Sequence, residues 1–90
     1  MATVRFTDHL RSQTGGVIET HATGSDVRSL IADLEKRMPG LRHYLVDDQG
    51  ALRTHVNVFL DGEPVRDRRK LDDPVGEQTV VHVLQALSGG

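Results

Sequence analysis

The segment Thr79-Val80-Val81-His82-Val83-Leu84, close to the end of this 90-residue chain, is rich in β-branched residues. Such a composition predicts a central strand that is buried on both faces. At the opposite end of the chain, residues 2–7 alternate small or polar with apolar side chains, which predicts a strand with Val4 and Phe6 on one face. These two strands form the natural centre of a sheet, because the chain between them is long enough for a crossover.

The chain between these strands contains one clear helix. Apolar residues recur at helical spacing from Val27 to Leu34, while charged residues occupy the other faces. Ser25 or Asp26 is the predicted N-cap, since both side chains can accept a hydrogen bond from a backbone amide in the first turn. The pair Pro39-Gly40 ends the helix.

The segments on either side of this helix are shorter. Gly15-Gly16 interrupts the chain, so residues 17–21 predict a second strand that pairs with the first across a loop at residues 8–14. After the helix, residues 41–45 contain an apolar anchor that includes Tyr44 and fits one helical turn.

The third long strand is predicted at residues 54–60, where apolar and polar side chains alternate again. Asp61-Gly62 is a strong turn signal directly after it. Residues 63–66 then form a short edge segment, because Pro64 has no amide hydrogen to donate to a central ladder.

The order strand, strand, helix, strand, short strand, strand predicts an α+β fold. One main helix covers one face of a mixed sheet of four or five strands, with the first and last strands parallel at its centre. This arrangement is the ubiquitin-like β-grasp. Residues 1–84 are assigned to this domain, and residues 85–90 are predicted to be a flexible tail that ends in Gly89-Gly90.

Composition excludes several functional classes. Eleven Lys and Arg against thirteen Asp and Glu give a net charge of −2, which argues against a nucleic-acid partner. The chain has no cysteine, so disulfides, thiolate metal sites and thiol nucleophiles are excluded. No apolar run has the length of a membrane span and no signal peptide is visible, so we expect a cytoplasmic protein without a membrane partner.

The remaining charged and polar residues do not indicate an enzyme. No spacing supports a catalytic triad, and the acidic pairs Asp47-Asp48 and Asp72-Asp73 lack the pattern of a calcium loop. The one basic cluster, Arg66-Asp67-Arg68-Arg69-Lys70, is interpreted as a solvated loop. Five histidines lack the close spacing of metal ligands, so no metal or other cofactor is expected: His9, His21, His43, His55 and His82.

The last two residues have a distinctive chemistry. Gly89 and Gly90 carry no side chains and can therefore enter a channel too narrow for other residues. An α-carboxylate has a reference pKa of about 3.3–3.7, so at neutral pH it is ionised and able to attack the α-phosphorus of a nucleotide. Once joined to AMP, it becomes an acyl donor.

The strand order and these terminal glycines resemble the ubiquitin-like sulfur carriers of the MoaD/ThiS family. The resemblance covers essentially the whole chain and includes the strand Val56-Asn57-Val58, the turn Asp61-Gly62-Glu63 and the strand entry Gly76-Glu77-Gln78-Thr79-Val80. In length and in the early Thr14-Gly15-Gly16, the chain is most similar to the CysO-like branch. It departs from the family in Leu84-Gln85-Ala86-Leu87, where a proline is frequent.

The resemblance implies a carrier rather than an enzyme. The Gly90 carboxylate would be adenylated by an E1-like adenylyltransferase of the MoeB/ThiF type, which uses ATP, and a sulfur donor would convert it to a thiocarboxylate. Gly89 would give slim access to the active sites of the partners. The sulfur would pass to a downstream synthase that is cysteine-synthase-like, thiazole-synthase-like or the large subunit of molybdopterin synthase.

A partner-binding surface is predicted on the sheet face away from the helix. Phe59, His82 and Leu84 fall on that face if Val58 faces the core, and Leu87 of the tail would extend the surface. A shift of one residue in register would bury Phe59 instead. Three other functions stay open: a small subunit of molybdopterin synthase, a ubiquitin-like protein modifier, and a β-grasp interaction module in which the terminal glycines have no role.

Overall fold

The computed structural model describes residues 1–7 and 10–85. None of the helices in this part of the chain is both long enough and apolar enough to cross a membrane. In chain order the elements are β1 (Ala2–Phe6), α1 (Arg11–Thr14), β2 (Glu19–Ala22), α2 (Val27–Arg37), α3 (Leu41–Leu45), β3 (Val56–Leu60), β4 (Glu63–Pro64) and β5 (Val80–Gln85).

The five strands form one mixed sheet in the order β2-β1-β5-β3-β4. Strands β1 and β5 run parallel at its centre, with Val4 opposite Val81, and the other neighbouring strands are antiparallel. The predicted β-grasp arrangement, with the first and last strands as its central pair, is therefore confirmed.

The two faces of the sheet have different environments. Val81 and Val83 of β5 belong to the same buried cluster as the apolar residues of α2. The alternating residues Val80, His82 and Leu84 are only half-buried. The prediction that this strand is buried on both faces is wrong, because the helical layer packs against one face and leaves the other open. We call that other face, which carries Asn57 and Phe59 of β3 and Val80, His82 and Leu84 of β5, the open face.

Local chemistry explains the two predicted helical segments. The side chain of Asp26 accepts a hydrogen bond from the Ser29 amide at 2.8 Å and caps α2 as expected. Glu35 then accepts hydrogen bonds from the amides of Gly40 at 2.9 Å and Arg42 at 2.8 Å. These bonds set the start of α3, which confirms the predicted helical turn.

The first hairpin differs from the prediction. The loop between β1 and β2 contains the four-residue helix α1, and β2 begins at Glu19 rather than at residue 17. The Thr14 hydroxyl donates to the Val17 carbonyl at 2.7 Å, so this part of the backbone bonds to α1 before the strand pairs begin. At the other end of the chain, β5 continues to Gln85 because this residue pairs with Val56.

Candidate functional site

The predicted reactive end of the chain lies beyond the part that the structure describes. Gly89 and Gly90, together with Leu87, fall outside the described residues. Gln85 at the end of β5 is the last described residue before them, so the surroundings of Gln85 define the base of the predicted tail.

Two contacts hold Gln85 in place. In the sheet it lies opposite Val56 of β3. From the helical side, the Tyr44 hydroxyl donates a hydrogen bond to the Gln85 side-chain oxygen at 2.5 Å. Tyr44 belongs to α3 and is half-buried. The end of β5 is therefore attached both to its neighbouring strand and to a helix.

A groove lies beside this strand end. We call it the tail-base groove, and its lining consists of His43, Tyr44, Arg53, His55, Val56 and Gln85. The Arg53 Nε atom donates to the His43 carbonyl at 2.9 Å, and the Arg53 amide donates to the Leu45 carbonyl at 3.0 Å. These bonds hold the loop before β3 against α3. The groove combines apolar surface with one arginine and two histidines, and no carboxylate of residues 1–7 or 10–85 lines it.

Arg68 supports the same region from the outer edge of β3. Its terminal nitrogens donate to the carbonyls of Arg53 and Val56, both at 2.7 Å, and to the Asn57 side-chain oxygen at 3.2 Å. Because β4 is only two residues long, this part of the edge has no strand partner, and the guanidinium takes its place. The interpretation of residues 66–70 as a solvated loop is thus wrong for half-buried Arg68.

The residues predicted to bind a partner lie together on the open face. Phe59 is opposite His82, and Leu84 is opposite Asn57, in the antiparallel pairing of β3 with β5. Val58 is buried in the core, which places Phe59 on the open face, where it is half-buried. The alternative register that buries Phe59 does not occur.

The open face continues onto β1 and β2, where it carries charged side chains. Arg5 of β1 lies beside His82 in the parallel register and forms an ion pair with Glu19 of β2 at 2.8 Å. Both side chains of the pair remain about half exposed, which limits the contribution of the pair to stability. The open face therefore has an apolar part on β3 and β5 beside a polar part on β1 and β2.

The loop carboxylates hold backbone turns. Asp47 accepts hydrogen bonds from the amides of Gln49 and Ala51, and the bond from Ala51 makes the largest contribution to lowering the pKa of Asp47. Buried Asp73 accepts hydrogen bonds from the amides of Arg66 and Asp67. Within residues 1–7 and 10–85, no three side chains of His, Asp or Glu form a group that could hold a metal ion. His9 lies outside these ranges.

Sequence reasoning placed Tyr44 in an apolar anchor and missed its contact with Gln85, which is 41 positions away. One feature of the sequence could have indicated that Tyr44 makes such a contact. A tyrosine among apolar residues needs a hydrogen-bond partner for its hydroxyl when it is buried. The partner itself was not predictable, because it depends on how α3 packs beside the end of β5.

Comparison with known proteins gives consistent matches over almost the whole chain. Residues 4–90 match the model of the ThiS family. The chain is 32% identical over 90 residues to the sulfur carrier protein CysO of Mycobacterium tuberculosis, covering 98% of this chain and 97% of that protein. The crystal structure of M. tuberculosis CysO superposes with a TM-score of 0.86 at 30% identity, over 97% of this chain and all of that one.

Two further solved structures are similar. A chain of the Amycolatopsis orientalis BexX/CysO complex superposes with a TM-score of 0.88 at 31% identity, over 100% of both chains. The SAMP1 protein of Haloferax volcanii superposes with a TM-score of 0.76, over 99% of this chain and 98% of that one. Its sequence identity is 21%, so this last similarity concerns the fold alone.

Proposed function

This chain belongs to the ThiS family, and from that membership we propose that its sulfur is carried on the Gly90 carboxylate. The chain is a sulfur carrier, a small carrier protein rather than an enzyme. One observation supports the choice of Gly90 above the others: the family match extends to residue 90 and includes both terminal glycines.

The proposed chemistry has two steps. First, a carboxylate oxygen of Gly90 attacks the α-phosphorus of ATP, the bond to pyrophosphate breaks, and an acyl-adenylate forms. Second, a sulfide-equivalent nucleophile attacks the carbonyl carbon, AMP leaves with the electrons of the broken C–O bond, and a thiocarboxylate remains. Gly89 adds no side chain and so allows a narrow approach to the enzyme.

Both steps require partner enzymes, because the chain offers no nucleotide site or catalytic group of its own in the residues that the structure describes. We assign the first step to an E1-like adenylyltransferase of the MoeB/ThiF type, which would bind the ATP. We assign acceptance of the sulfur to a cysteine-synthase-like enzyme, since the curated relative is a CysO carrier. We assign the reaction to the cytoplasm, where ATP is available to the activating enzyme.

The open face is the proposed docking surface for these enzymes. Its apolar part, Phe59 and Leu84, is half-buried and lies on β3 and on β5, the strand that precedes the tail in the sequence. His82 separates this part from the charged residues of β1 and gives it a polar border. Leu87 would add a contact beyond the end of β5. An apolar centre with a polar rim is typical of a protein interface.

Deletion of Gly90 tests the proposal. The shortened chain should fail to release pyrophosphate from ATP in the presence of the activating enzyme, and its urea unfolding midpoint should match that of the parent. Deletion of Met1, which is exposed at the other end of the chain, is the matched one-residue control and should keep full activity. Sulfur transfer by the chain without Gly90 would overturn the assignment.

The same mixture separates the alternatives. Isopeptide conjugates on other proteins would favour a ubiquitin-like modifier, and a stable heterodimer with a large catalytic subunit would favour molybdopterin synthase. A free thiocarboxylate that a cysteine-synthase-like enzyme consumes favours the sulfur carrier of cysteine biosynthesis.

A further inference from the structure

We propose that the tail-base groove is a second docking site, which binds an acidic peptide segment of the enzyme that takes up the tail. This inference deepens the proposed function and rests on it only for the nature of the partner. The binding itself is a property of the groove and can be measured without any sulfur chemistry.

The groove lies close to the position of any enzyme that holds Gly90. Gln85 lines the groove, and only residues 86–90 follow it in the sequence. Five residues span at most about 18 Å when fully extended. An enzyme that encloses the last glycine therefore brings its own surface close to the end of β5. The groove begins at this strand end, because Gln85 is part of its lining.

The charge of the groove sets the chemistry of the segment that fits it. Arg53 is permanently charged, and among the described residues it forms no ion pair. His43 and His55 are exposed, and an imidazole offers at least one N–H donor in either protonation state. These three side chains present donors to a lining that contains no carboxylate among the described residues, so the groove is complementary to an acidic segment of a partner.

One acidic residue of this chain, Asp47, interacts electrostatically with Arg53 of the groove. The charge of Arg53 contributes to the lowered pKa of Asp47, so the two groups are within electrostatic reach. The carboxylate of Asp47 already accepts two hydrogen bonds from the amides of Gln49 and Ala51. Both bonds go to the Oδ1 atom of Asp47, and among the described residues no ion pair joins Asp47 to Arg53, so the guanidinium of Arg53 is available to a carboxylate from outside.

The apolar surface of the groove adds a second requirement. Half-buried Tyr44 and buried Val56 line the same groove as the donors. A segment that alternates Asp or Glu with an apolar side chain satisfies both parts, with its carboxylates on Arg53 and the histidines and its apolar group on the tyrosine ring. The groove thus favours an acidic, partly apolar peptide over a purely charged one.

Amide chemical shifts of the full 90-residue chain, titrated with a synthetic peptide of alternating Glu and Leu, test this proposal. We expect saturable shifts at residues 43–45 and 53–56 that weaken as salt is added, because exposed ion pairs are screened. A peptide of alternating Lys and Leu should produce none. Shifts confined to residues 66–70, or no shifts with the Glu peptide, would overturn the proposal.

Charge variants sharpen the result. His55→Glu adds a negative charge at an exposed position of the groove and should weaken peptide binding about threefold or more. Lys36→Glu is a larger charge change at an exposed position of α2 outside the groove and should leave binding within experimental error of the parent. Equal weakening by both variants would indicate that binding follows the net charge of the chain alone and would contradict a groove-specific site.

This titration contains no ATP, sulfur source or enzyme. Its failure would leave the assignment of Gly90 intact, and failure of the Gly90 assignment would leave the groove and its preference for acidic segments intact.

Discussion

The hydroxyl of Tyr44 in α3 donates a 2.5 Å hydrogen bond to the side-chain oxygen of Gln85, the last residue of β5. The same residue pairs with Val56 through the sheet. The strand that carries the predicted tail is therefore fixed at its very end by a residue from the helical layer. This contact links the helical layer to the last described residue before the predicted tail.

Replacement of Tyr44 by Phe keeps the ring and removes only the hydroxyl. We expect the free energy of unfolding to fall by about 0.5–1.5 kcal/mol, since one hydrogen bond is lost from a half-buried pair. We also expect a higher KM of the activating enzyme for the carrier, with kcat little changed, because the tail begins from a less ordered position. Urea unfolding and initial rates measure the two effects.

A double-mutant cycle with Gln85→Ala identifies the contact responsible for the Tyr44 effect. If the two substitutions act through the shared hydrogen bond, the double variant should be less destabilised than the sum of the single variants. Strict additivity of the two destabilisations would mean that the hydroxyl and the amide contribute separately. It would contradict the hydrogen bond between them as the cause of the Tyr44 effect.

Arg68 and Arg69 should differ sharply in their effect on stability. Arg68→Ala removes three hydrogen bonds and leaves the Val56 and Arg53 carbonyls without that donor, so we expect a loss of about 2 kcal/mol or more. Arg69→Ala changes an exposed neighbour and should stay within about 0.5 kcal/mol of the parent. Equal losses in thermal or urea unfolding would show that Arg68 does not hold the edge of β3.

Asp26 should make stability depend on acid pH. The Ser29 amide bonds to its carboxylate and lowers the pKa of Asp26 in the folded chain. A lowered folded pKa gives stability that is present above the unfolded pKa of about 3.9 and is lost as the pH falls through the folded pKa. Asp26→Asn keeps a cap that cannot titrate, so its stability at neutral pH should be close to that of the parent.

The comparison of two Asp26 variants provides the control for this pH effect. The stability of the parent should fall more steeply below about pH 4 than that of Asp26→Asn. Asp26→Ala loses the cap altogether and should be about 1 kcal/mol less stable than the parent at neutral pH. Parallel curves for the parent and Asp26→Asn, measured by urea unfolding from neutral to acid pH, would exclude the titration of this cap.

Phe59→Ser tests the open face as a docking surface. Since Phe59 is only half-buried, we expect a loss of about 1–2 kcal/mol in stability, a folded protein and a clearly raised KM in sulfur transfer. Met38→Ser is the matched control, because Met38 is also half-buried and lies at the end of α2 in the helical layer, away from the open face. An unchanged KM for Phe59→Ser, or the same increase for both variants, would count against this surface.

The parts of the fold that were predictable from the sequence have local or topological causes. Helix α2 has its cap Asp26 and its apolar stripe within one short segment, and the parallel central pair follows from the crossover that the helix provides. Helix α1 was missed because it has four residues and no side-chain cap at its start. The prediction that β5 is buried on both faces was wrong, because a count of β-branched residues does not reveal how many layers cover a sheet.

The site was predictable only in part for a similar reason. Phe59 and His82 could be placed on one face from alternation along each strand, which is a local property. The roles of Arg68 and Tyr44 depend on contacts between distant segments. Arg68 stands in a charged run that resembles a solvated loop, and its half-buried contacts lie at an edge of β3 that the two-residue β4 does not reach.

The intact mass of the chain, after incubation with an activating enzyme, ATP and a sulfide source, tests the central claim most directly. We expect a gain equal to the mass of one sulfur minus one oxygen, located at Gly90 by fragmentation and absent without ATP. An unchanged mass, while another carrier of the same family gains sulfur in the same mixture, would contradict it.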